Sequence, residues 1–264
     1  MKKAILRSFL MSLLTLLLAG KGKALDSIIN DHIRVMSYNI HYGIGMDGIY
    51  SLDNIAAVIK KANPDLVGLQ EIGDSLMAAE LGRLTGMNVV FGPSLGKMDG
   101  YGDAILSKYP FKWVGNESIP SASSSRYQAM AIDIDFSGKS SKLGMVRFIN
   151  THFDWLSTIG SEYARLAAVD VIEQAFLQNL TIPAILTGDL NAIPDSDVLK
   201  KLGSVGWVNY QHGGPYKTIN SMEPERQIDY VLYRRNHQWK VKNAFVMYGE
   251  ESSDHLPIVL DLLP

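Results

Sequence analysis

Polar residues with oxygen or nitrogen ligand atoms stand at the ends of several short apolar segments of this 264-residue sequence. The last residue of a strand lies at a sheet edge on rigid backbone, so such positions suit a preorganised site. The set comprises Asn39, Glu71, His152 with Asp154, Asp189 with Asn191, Asp229, and the pair Asp254 and His255. Each alone is explained by a turn or a helix cap, but their recurrence favours one common site.

The chemistry of this set is that of a hard cation and a proton carrier. Carboxylate and amide oxygens in a chain without cysteine suit Mg²⁺, with Mn²⁺ or Ca²⁺ as alternatives. His152 and His255 stand beside acids, where an imidazole suits proton transfer or contact with a phosphate. Asp229 could orient His255, as an acid orients an imidazole in many hydrolases. A serine nucleophile is the competing chemistry, and we expect the chain not to use one.

Two similar helix–strand units would position the carboxylates. In the first, a helix predicted from Ser51 leads through Asn63-Pro64-Asp65 into an apolar strand that ends at Glu71. In the second, a helix predicted over Glu162–Leu180 leads through a proline turn into a buried strand that ends at Asp189. We therefore expect an α/β protein whose two sheets pack face to face, with helices outside and the carboxylates at one rim.

The other predicted elements are shorter. They are a helix over Asp74–Leu84 and strands near residues 34–39, 89–91, 104–107, 130–136, 143–151, 228–233, 241–247 and 257–260. The segment Trp207–Glu225, rich in Gly, Tyr and Pro, is expected to be a loop. It either covers the site, with candidate substrate contacts at Tyr210, His212, Tyr216 and Lys217, or packs as an ordinary surface loop.

The first 24 residues have the pattern of a secretory signal peptide. Lys2, Lys3 and Arg7 form a basic start, an apolar run covers residues 8–19, and small residues stand at Gly22 and Ala24. Spanning a bilayer takes about 20 apolar residues, so this run is too short, although an uncleaved anchor is the alternative. We predict a signal peptide over 1–24, a mature domain over 25–264, and a secreted or periplasmic location.

Composition limits the partners of the mature chain. The sequence is 47% hydrophobic and 20% charged, as in a globular domain, and it contains no cysteine for disulfides or thiolate metal sites. Without the five basic residues of 1–24, 20 Lys and Arg stand against 27 Asp and Glu, a net charge of −7. A dedicated nucleic-acid binder usually carries a basic surface, so nucleic acid is possible but not favoured. We expect a monomer without a transmembrane segment.

Seven short sequence motifs follow one another along the chain. They are Ser37-Tyr38-Asn39-Ile40-His41, Leu69-Gln70-Glu71, Tyr101-Gly102-Asp103-Ala104-Ile105-Leu106-Ser107, Asn150-Thr151-His152-Phe153-Asp154, Gly188-Asp189-Leu190-Asn191, Gln227-Ile228-Asp229-Tyr230-Val231 and Ser253-Asp254-His255-Leu256-Pro257. Together they resemble the endonuclease/exonuclease/phosphatase superfamily, which includes pancreatic-type deoxyribonucleases, apurinic endonucleases and sphingomyelinases. The resemblance runs from Arg34 to the C-terminus. It implies a four-layer α/β sandwich of two packed mixed β-sheets flanked by helices.

The resemblance also implies a metal site and a water site. Glu71, with Asn39 and Asp254, would hold the Mg²⁺ ion. Asp189 and Asn191 resemble the pair that activates the attacking water and holds a phosphate oxygen.

The phosphate would have its own set of contacts. His255 resembles the histidine that contacts the phosphate with Asp229 as its partner, and His152 resembles a second histidine near the phosphate. Tyr101 stands where a phosphate-facing tyrosine is common. Arg126 is either a phosphate clamp or a plain surface arginine.

Three positions need separate comment. Asp103 stands where many relatives carry asparagine, and it could repel phosphate, recruit a second cation or pair with a basic neighbour. His41 replaces an acid found in some nucleases, which puts a second metal site in doubt. Arg165, on the long predicted helix, is expected to form a structural ion pair.

These observations predict an exported, Mg²⁺-dependent hydrolase that directs water in line at the phosphorus of a small or lipid-linked phosphoester. A secreted nuclease acting on DNA or RNA is the first alternative. A non-catalytic protein that binds a phosphate ligand on the same scaffold is the second.

Overall fold

The computed structural model describes residues 32–94, 100–139, 142–210, 216–235 and 237–264. The predicted signal peptide and the candidate contact His212 lie outside these residues. No helix in the described ranges is long and apolar enough to cross a bilayer.

Twelve strands form two sheets of six within the described residues. In chain order they are β1 (Ile33–Asn39), β2 (Leu66–Ile72), β3 (Asn88–Pro93), β4 (Gly102–Ser107), β5 (Phe111–Ile119), β6 (Tyr127–Asp135), β7 (Met145–His152), β8 (Ala184–Asp189), β9 (Trp207–Asn209), β10 (Asp229–Arg234), β11 (Lys240–Val246) and β12 (Ile258–Leu263). The first sheet has the order β11-β12-β1-β2-β4-β3, and the second has the order β5-β6-β7-β8-β10-β9.

The central strand pair of each sheet determines where the site forms. β1 and β2 run parallel in the first sheet, and β7 and β8 run parallel in the second. All four carboxyl ends lie at the same rim. Their antiparallel neighbours β10 and β12 begin at that rim, so residues that precede or start these strands arrive there as well. Asp229, for example, pairs directly with Asp189 in the register of β10 and β8.

Within the described ranges, four α-helices cover the outer faces. They are α1 (Leu52–Ala62), α2 (Ser75–Thr85), α3 (Ile159–Ile172) and α4 (Asp197–Ser204). Each starts at a side-chain cap, as when the Ser51 side chain accepts a hydrogen bond from the backbone N–H of Asn54. α1 and α2 pack on the first sheet and α3 and α4 on the second, while a third apolar cluster fills the space between the sheets. The predicted four-layer α/β sandwich is confirmed.

Three local predictions are corrected. The long helix predicted over Glu162–Leu180 starts earlier, at Ile159, and passes after Ile172 into a single π-helical turn that ends at Leu177. The segment predicted as a loop over 207–225 begins with strand β9, because Trp207 is buried against the second sheet. β5 and α4 are additional elements that the sequence analysis did not predict.

A buried polar cluster joins the two sheets directly below the rim. Asn150 accepts hydrogen bonds from Gln70 (2.7 Å) and from Thr187 (3.0 Å), and its own amide donates to the carbonyl of Leu69 (2.9 Å). A side chain at Gly68 would collide with Asn150 and Thr187, so this glycine permits the close approach. Because these hydrogen bonds link three strands across the two sheets, the cluster fixes the relative position of β2, β7 and β8.

Candidate active site

Glu71 reaches the rim through an irregularity in β2. The pairing of β2 with β4 shifts between Leu69 and Ile72, and Glu71 has a φ of 59°, in the left-handed region. Such a conformation costs a non-glycine residue about 1–3 kcal/mol and is typical of functional sites. The bulge turns the carboxylate of Glu71 into an open cavity instead of leaving it flat in the sheet.

Positive φ values concentrate at this rim. Of the six non-glycine residues with positive φ in the described ranges, four lie here: His41, Tyr42, Glu71 and Asn191. Strained backbone conformations of this kind cluster at functional sites, so their concentration favours this rim as the site of function.

Asn39 connects the two carboxylates that the sequence analysis singled out. From the end of β1, its side-chain nitrogen donates to Glu71 (3.0 Å) and to Asp189 (3.1 Å). Its side-chain oxygen accepts a hydrogen bond from the backbone N–H of His41 (3.1 Å). Asn39 is fully buried, so it fixes the spacing of the two acids across the sheets.

Asp229 and His255 form a buried pair beside Asp189. Nδ1 of His255 lies 2.9 Å from a carboxylate oxygen of Asp229, and Nε2 lies 3.7 Å from Asp189. Burial by itself lowers the pKa of His255, but the Asp229 and Asp189 carboxylates outweigh burial and raise this pKa to about 10. His255 is therefore an imidazolium ion at neutral pH.

Asp189 is a buried acid at the end of β8. Burial raises its pKa and the nearby Asp229 carboxylate raises it further, while His152 and His255 oppose this shift. One of its oxygens accepts from the backbone N–H of Asn191 (3.0 Å), and the other lies 3.6 Å from Nε2 of His152. A carboxylate whose basicity is raised beside cationic or polar partners suits a general base.

His152 connects the buried acids to the cavity. Asn191 donates to the carbonyl of Phe153 (3.0 Å), and the same amide nitrogen lies 3.3 Å from Nε2 of His152. If that nitrogen offers its second hydrogen to Nε2, then Nδ1 carries the proton and donates to Tyr101, 3.1 Å away. Burial raises the pKa of Tyr101, so its hydroxyl stays protonated and its hydrogen can point to a substrate oxygen.

A cavity of about 300 Å³ opens over these residues, and it is called the catalytic cavity below. Glu71, Asp254, Tyr101, His152 and Arg126 line it, with Asn39, Asp189 and Asp229 buried below. The structure thus brings together the residues that the resemblance implied for catalysis, metal binding and phosphate binding, but not the candidate contacts of the segment 207–225. The roles that the sequence analysis gave to these residues remain predictions.

Three of the residues in doubt have clear surroundings. Nδ1 of His41 lies 3.7 Å from the Asp254 carboxylate, so His41 borders the cavity and places an imidazole where an acid would bind metal. The guanidinium of Arg126 forms no ion pair with any described residue and is exposed at the cavity wall. Arg165 forms the expected ion pair, with Glu162 at 2.8 Å.

Asp103 is fully buried on β4, next to Glu71 and Gln128. Neither of its oxygens has a well-formed hydrogen bond within the described residues. Burial and the Glu71 carboxylate raise the pKa of Asp103 well above its ordinary value, which favours its neutral form. It pairs with no basic neighbour among the described residues, and the neutral form would not repel phosphate.

We expect Asp103→Asn to change kcat/KM by about threefold or less, because the raised pKa favours the neutral carboxyl group, which the amide matches in shape, and about 1.4 kcal/mol separates each factor of ten. Steady-state kinetics of the purified variant would measure this. Asp103→Ala serves as the contrast, since it removes the polar group altogether. A loss above tenfold in Asp103→Asn would show that an ionised carboxylate is needed.

The serine-nucleophile alternative has one matching phrase in the sequence, Gly92-Pro93-Ser94-Leu95-Gly96. Ser94 follows β3 and lines the catalytic cavity, but its hydroxyl donates to the backbone carbonyl of Arg126 (2.7 Å). No histidine forms a hydrogen bond to it among the described residues. A serine nucleophile must release its hydroxyl proton to a base, but the Ser94 hydroxyl donates this proton to a backbone carbonyl instead.

The segment 216–228 supports the site from the side. Tyr210 and Tyr216 pack against the apolar cluster between the sheets, and neither is among the described residues that line the catalytic cavity. Lys217 is not among the described residues of the cavity wall. Thr218 instead lies 3.4 Å from the backbone N–H of Asp229, and Ser253 donates to the carbonyl of Asn39 (2.8 Å). Sequence reasoning missed both, because neither stands at the end of an apolar segment.

The fold and the rim together define a class of protein, the four-layer α/β sandwich whose central strands end in carboxylates, amides and histidines. Within that class, the model of the Endonuclease/Exonuclease/phosphatase family matches residues 36–255. The chain belongs to this family, whose members are phosphoester hydrolases. No curated protein sequence matches the chain.

Solved structures share the fold over most of the chain. An endonuclease/exonuclease/phosphatase from Bacteroides vulgatus is 20% identical, with a TM-score of 0.71 over 88% of this chain and 98% of its own. The human Nocturnin catalytic domain with bound sulfate is 24% identical (TM-score 0.68; 88% and 94%). A mannosyl-6-phosphatase from Bacteroides thetaiotaomicron is 18% identical (TM-score 0.66; 88% and 100%). At these identities the likeness shows the fold.

Proposed function

We propose that this protein is an exported, Mg²⁺-dependent hydrolase that cleaves a small or lipid-linked phosphoester by in-line attack of water. One observation carries the proposal: a buried acid of raised basicity, a buried imidazolium and an open carboxylate meet at one cavity. These are a base, an anion-binding group and a cation-binding group, which metal-assisted phosphoester hydrolysis requires.

Glu71 and Asp254 fit a hard divalent cation. Both carboxylates face the catalytic cavity, and Glu71 has no cationic partner among the described residues. Asn39 turns its amide nitrogen toward Glu71 and its oxygen toward the backbone N–H of His41, so in this conformation it positions the Glu71 carboxylate, and it would ligate the cation only with its amide rotated. Oxygen ligands of this kind suit Mg²⁺, which would polarise a phosphoryl oxygen when bound. Mn²⁺ and Ca²⁺ accept the same donors.

A second acidic group is less suited to a cation. Ligand atoms of Asp189, Asp229 and His255 lie within 4.8 Å of one another. One carboxylate oxygen of Asp229 already pairs with His255 at 2.9 Å, and the imidazolium of His255 would repel a metal ion. We therefore assign the metal to Glu71 and its neighbours, and proton transfer to the buried group.

The other residues of the site have separate roles in the proposed reaction. Asp189 accepts a proton from the attacking water, and Asn191 orients that water or holds a phosphate oxygen. His255, charged and held by Asp229, binds the phosphate and offsets the negative charge that develops on it. Tyr101, His152 and Arg126 supply further hydrogen bonds from the cavity wall.

The pH profile tests the assignment of His255. In the parent protein, activity should fall as the pH rises through about 10, where His255 loses its proton. Asp229→Asn removes the main charge that raises this pKa, so the alkaline limb should move down toward the ordinary value of 6.5. Rates measured from pH 5 to pH 11 would show the shift. An alkaline limb that stays near pH 10 in Asp229→Asn would contradict this role.

Hydrolysis of bis(p-nitrophenyl) phosphate, with and without EDTA, tests the proposed function. We expect EDTA to abolish the reaction and added Mg²⁺ to restore it, with Mn²⁺ and Ca²⁺ compared at equal concentration. Full activity in EDTA would contradict metal dependence. Absence of hydrolysis with every cation and substrate would favour the non-catalytic binder.

Substrate class separates the phosphoesterase from the nuclease. The net charge of −7 for the mature chain disfavours a long contact with the phosphate backbone of a nucleic acid. Plasmid DNA, RNA, phospholipid and small phosphoesters should be compared at matched Mg²⁺, with kcat/KM as the measure. A wide margin in favour of DNA or RNA would establish the nuclease.

Export makes a separate prediction. We expect the mature protein to begin at or near Leu25, because Gly22 and Ala24 supply the small residues of a cleavage site. N-terminal sequencing of protein recovered from outside the cytoplasm would show this. An intact Met1 on membrane-bound material would identify an uncleaved anchor instead.

A further inference from the structure

A second cavity of about 560 Å³ adjoins the catalytic cavity. It is called the serine cavity here, because its wall includes Ser118, Ser121, Ser123, Ser124 and Ser125, together with Arg126. Ser125 and Arg126 line both cavities, so the two are neighbours across one short segment. A substrate whose phosphate lies in the catalytic cavity can therefore extend into the serine cavity.

The chemistry of the wall suits neutral hydroxyl groups. The described lining residues include no carboxylate and a single cation, Arg126. Ser118 and Ser124 have hydroxyls without a hydrogen-bond partner among the described residues, and both side chains are exposed to the cavity. A serine hydroxyl both donates and accepts, so a row of them matches the mixed donors and acceptors of a polyol.

Asp154 holds the serine segment in shape. Its buried carboxylate accepts hydrogen bonds from the hydroxyl of Ser121 (2.8 Å) and from the backbone N–H groups of Ala122 (2.6 Å) and Ser123 (3.0 Å). Its own carbonyl accepts from Arg165 (2.7 Å). The hydrogen bonds to its carboxylate lower the pKa of Asp154 although burial opposes them, so it is ionised at neutral pH. The wall is thus preorganised before a ligand arrives.

Trp155, the next residue, adds an apolar surface. Its side chain is 60% exposed and lines the catalytic cavity. The face of an aromatic ring carries negative charge density, which attracts the C–H groups on one side of a sugar or cyclitol ring. Trp155 shares the wall of the catalytic cavity with Ser125 and Arg126, the two residues that also line the serine cavity, so a ring held at this junction lies between the indole and the serine wall.

We propose that the serine cavity binds the hydroxylated ring of a sugar phosphate or cyclitol phosphate, with the phosphate in the catalytic cavity. This inference rests on the proposed function, and it specifies the leaving group. Ser118, Ser124 and Arg126 bind ring hydroxyls, and Trp155 packs on the ring face.

Binding tests the inference without requiring activity. Dissociation constants of the mature protein are measured for glucose 6-phosphate, myo-inositol 1-phosphate and inorganic phosphate. The ring phosphates should bind at least about fivefold more tightly than inorganic phosphate, and Ser118→Ala/Ser124→Ala should remove this advantage, since it deletes two hydrogen bonds. Ser137→Ala, on the turn at the other end of β6, is the matched control and should bind like the parent.

Kinetics then show which ring is preferred. In Ser118→Ala/Ser124→Ala, KM for the preferred ring phosphate should rise about fivefold or more, while KM for p-nitrophenyl phosphate stays within about twofold. Trp155→Ala should act in the same direction. Equal effects on both substrates, or a parent that binds a dinucleotide more tightly than either ring phosphate, would overturn the inference. Failure to hydrolyse any substrate, with ring binding intact, would contradict the proposed function alone.

Discussion

Asp189→Asn is expected to lower kcat at least about 100-fold, because it removes the buried base while preserving the shape of the side chain. The variant should fold normally. Asp189 lies beside Asp229 in a buried site that raises its pKa, so deleting its charge relieves repulsion and should leave the unfolding temperature unchanged or higher. Initial rates and thermal unfolding, measured on the same preparation, would show the two effects together.

Asp261→Asn is the matched control for this prediction. Asp261 is also a buried aspartate, but it lies on β12 and pairs with Arg34 at 2.7 Å and 2.8 Å. Here we expect the reverse pattern, a lower unfolding temperature with kcat of the folded protein nearly unchanged. If Asp189→Asn turned over substrate at the normal rate, the base would have to be another residue.

Glu71→Gln is expected to have the second large effect. It should lower kcat/KM at least about 100-fold at low Mg²⁺. The amide is a poorer ligand for a hard cation than a carboxylate, so the loss should be one of metal affinity. Raising the Mg²⁺ concentration should therefore recover part of the activity in Glu71→Gln, and a titration of rate against Mg²⁺ would measure the shift.

Glu80→Gln provides the control for Glu71→Gln. Glu80 lies on α2 and pairs with Arg83 on the surface, where an exposed ion pair contributes little. Its substitution should leave the Mg²⁺ dependence unchanged. An unaltered Mg²⁺ dependence in Glu71→Gln as well would place the metal elsewhere, with the Asp189 and Asp229 group as the next candidate.

Much of the fold could be predicted from the sequence because the signals are local. Apolar residues at helical spacing, the Ser51 cap and the Asn63-Pro64 stop predict α1 within one or two residues. The same kind of pattern failed at Trp207, where a strand of three residues is too short for a recognisable period. It also failed at the end of α3, because a π-helical turn continues the helical pattern of apolar residues.

The strand-end argument found the acids of the site but not their supports. Each of these site residues ends or begins an apolar segment, so the local sequence pattern predicts its position. They are Asn39, Glu71, Asp189 and Asp229. Thr218, Ser253 and Asn150 carry no such signal, since a threonine, serine or asparagine in a loop or strand has many ordinary uses. Their roles depend on partners far along the chain.

The sequence by itself determined the element types, the sandwich architecture and the acids and histidines that the strands present at their ends. Only the tertiary structure decided their relations. Asn39 and Asp189 are 150 residues apart, and their hydrogen bond exists because the two sheets pack face to face. Residue type likewise did not decide the raised pKa values of His255 and Asp103, because burial and neighbouring charges set a pKa, and these arise only when the chain folds.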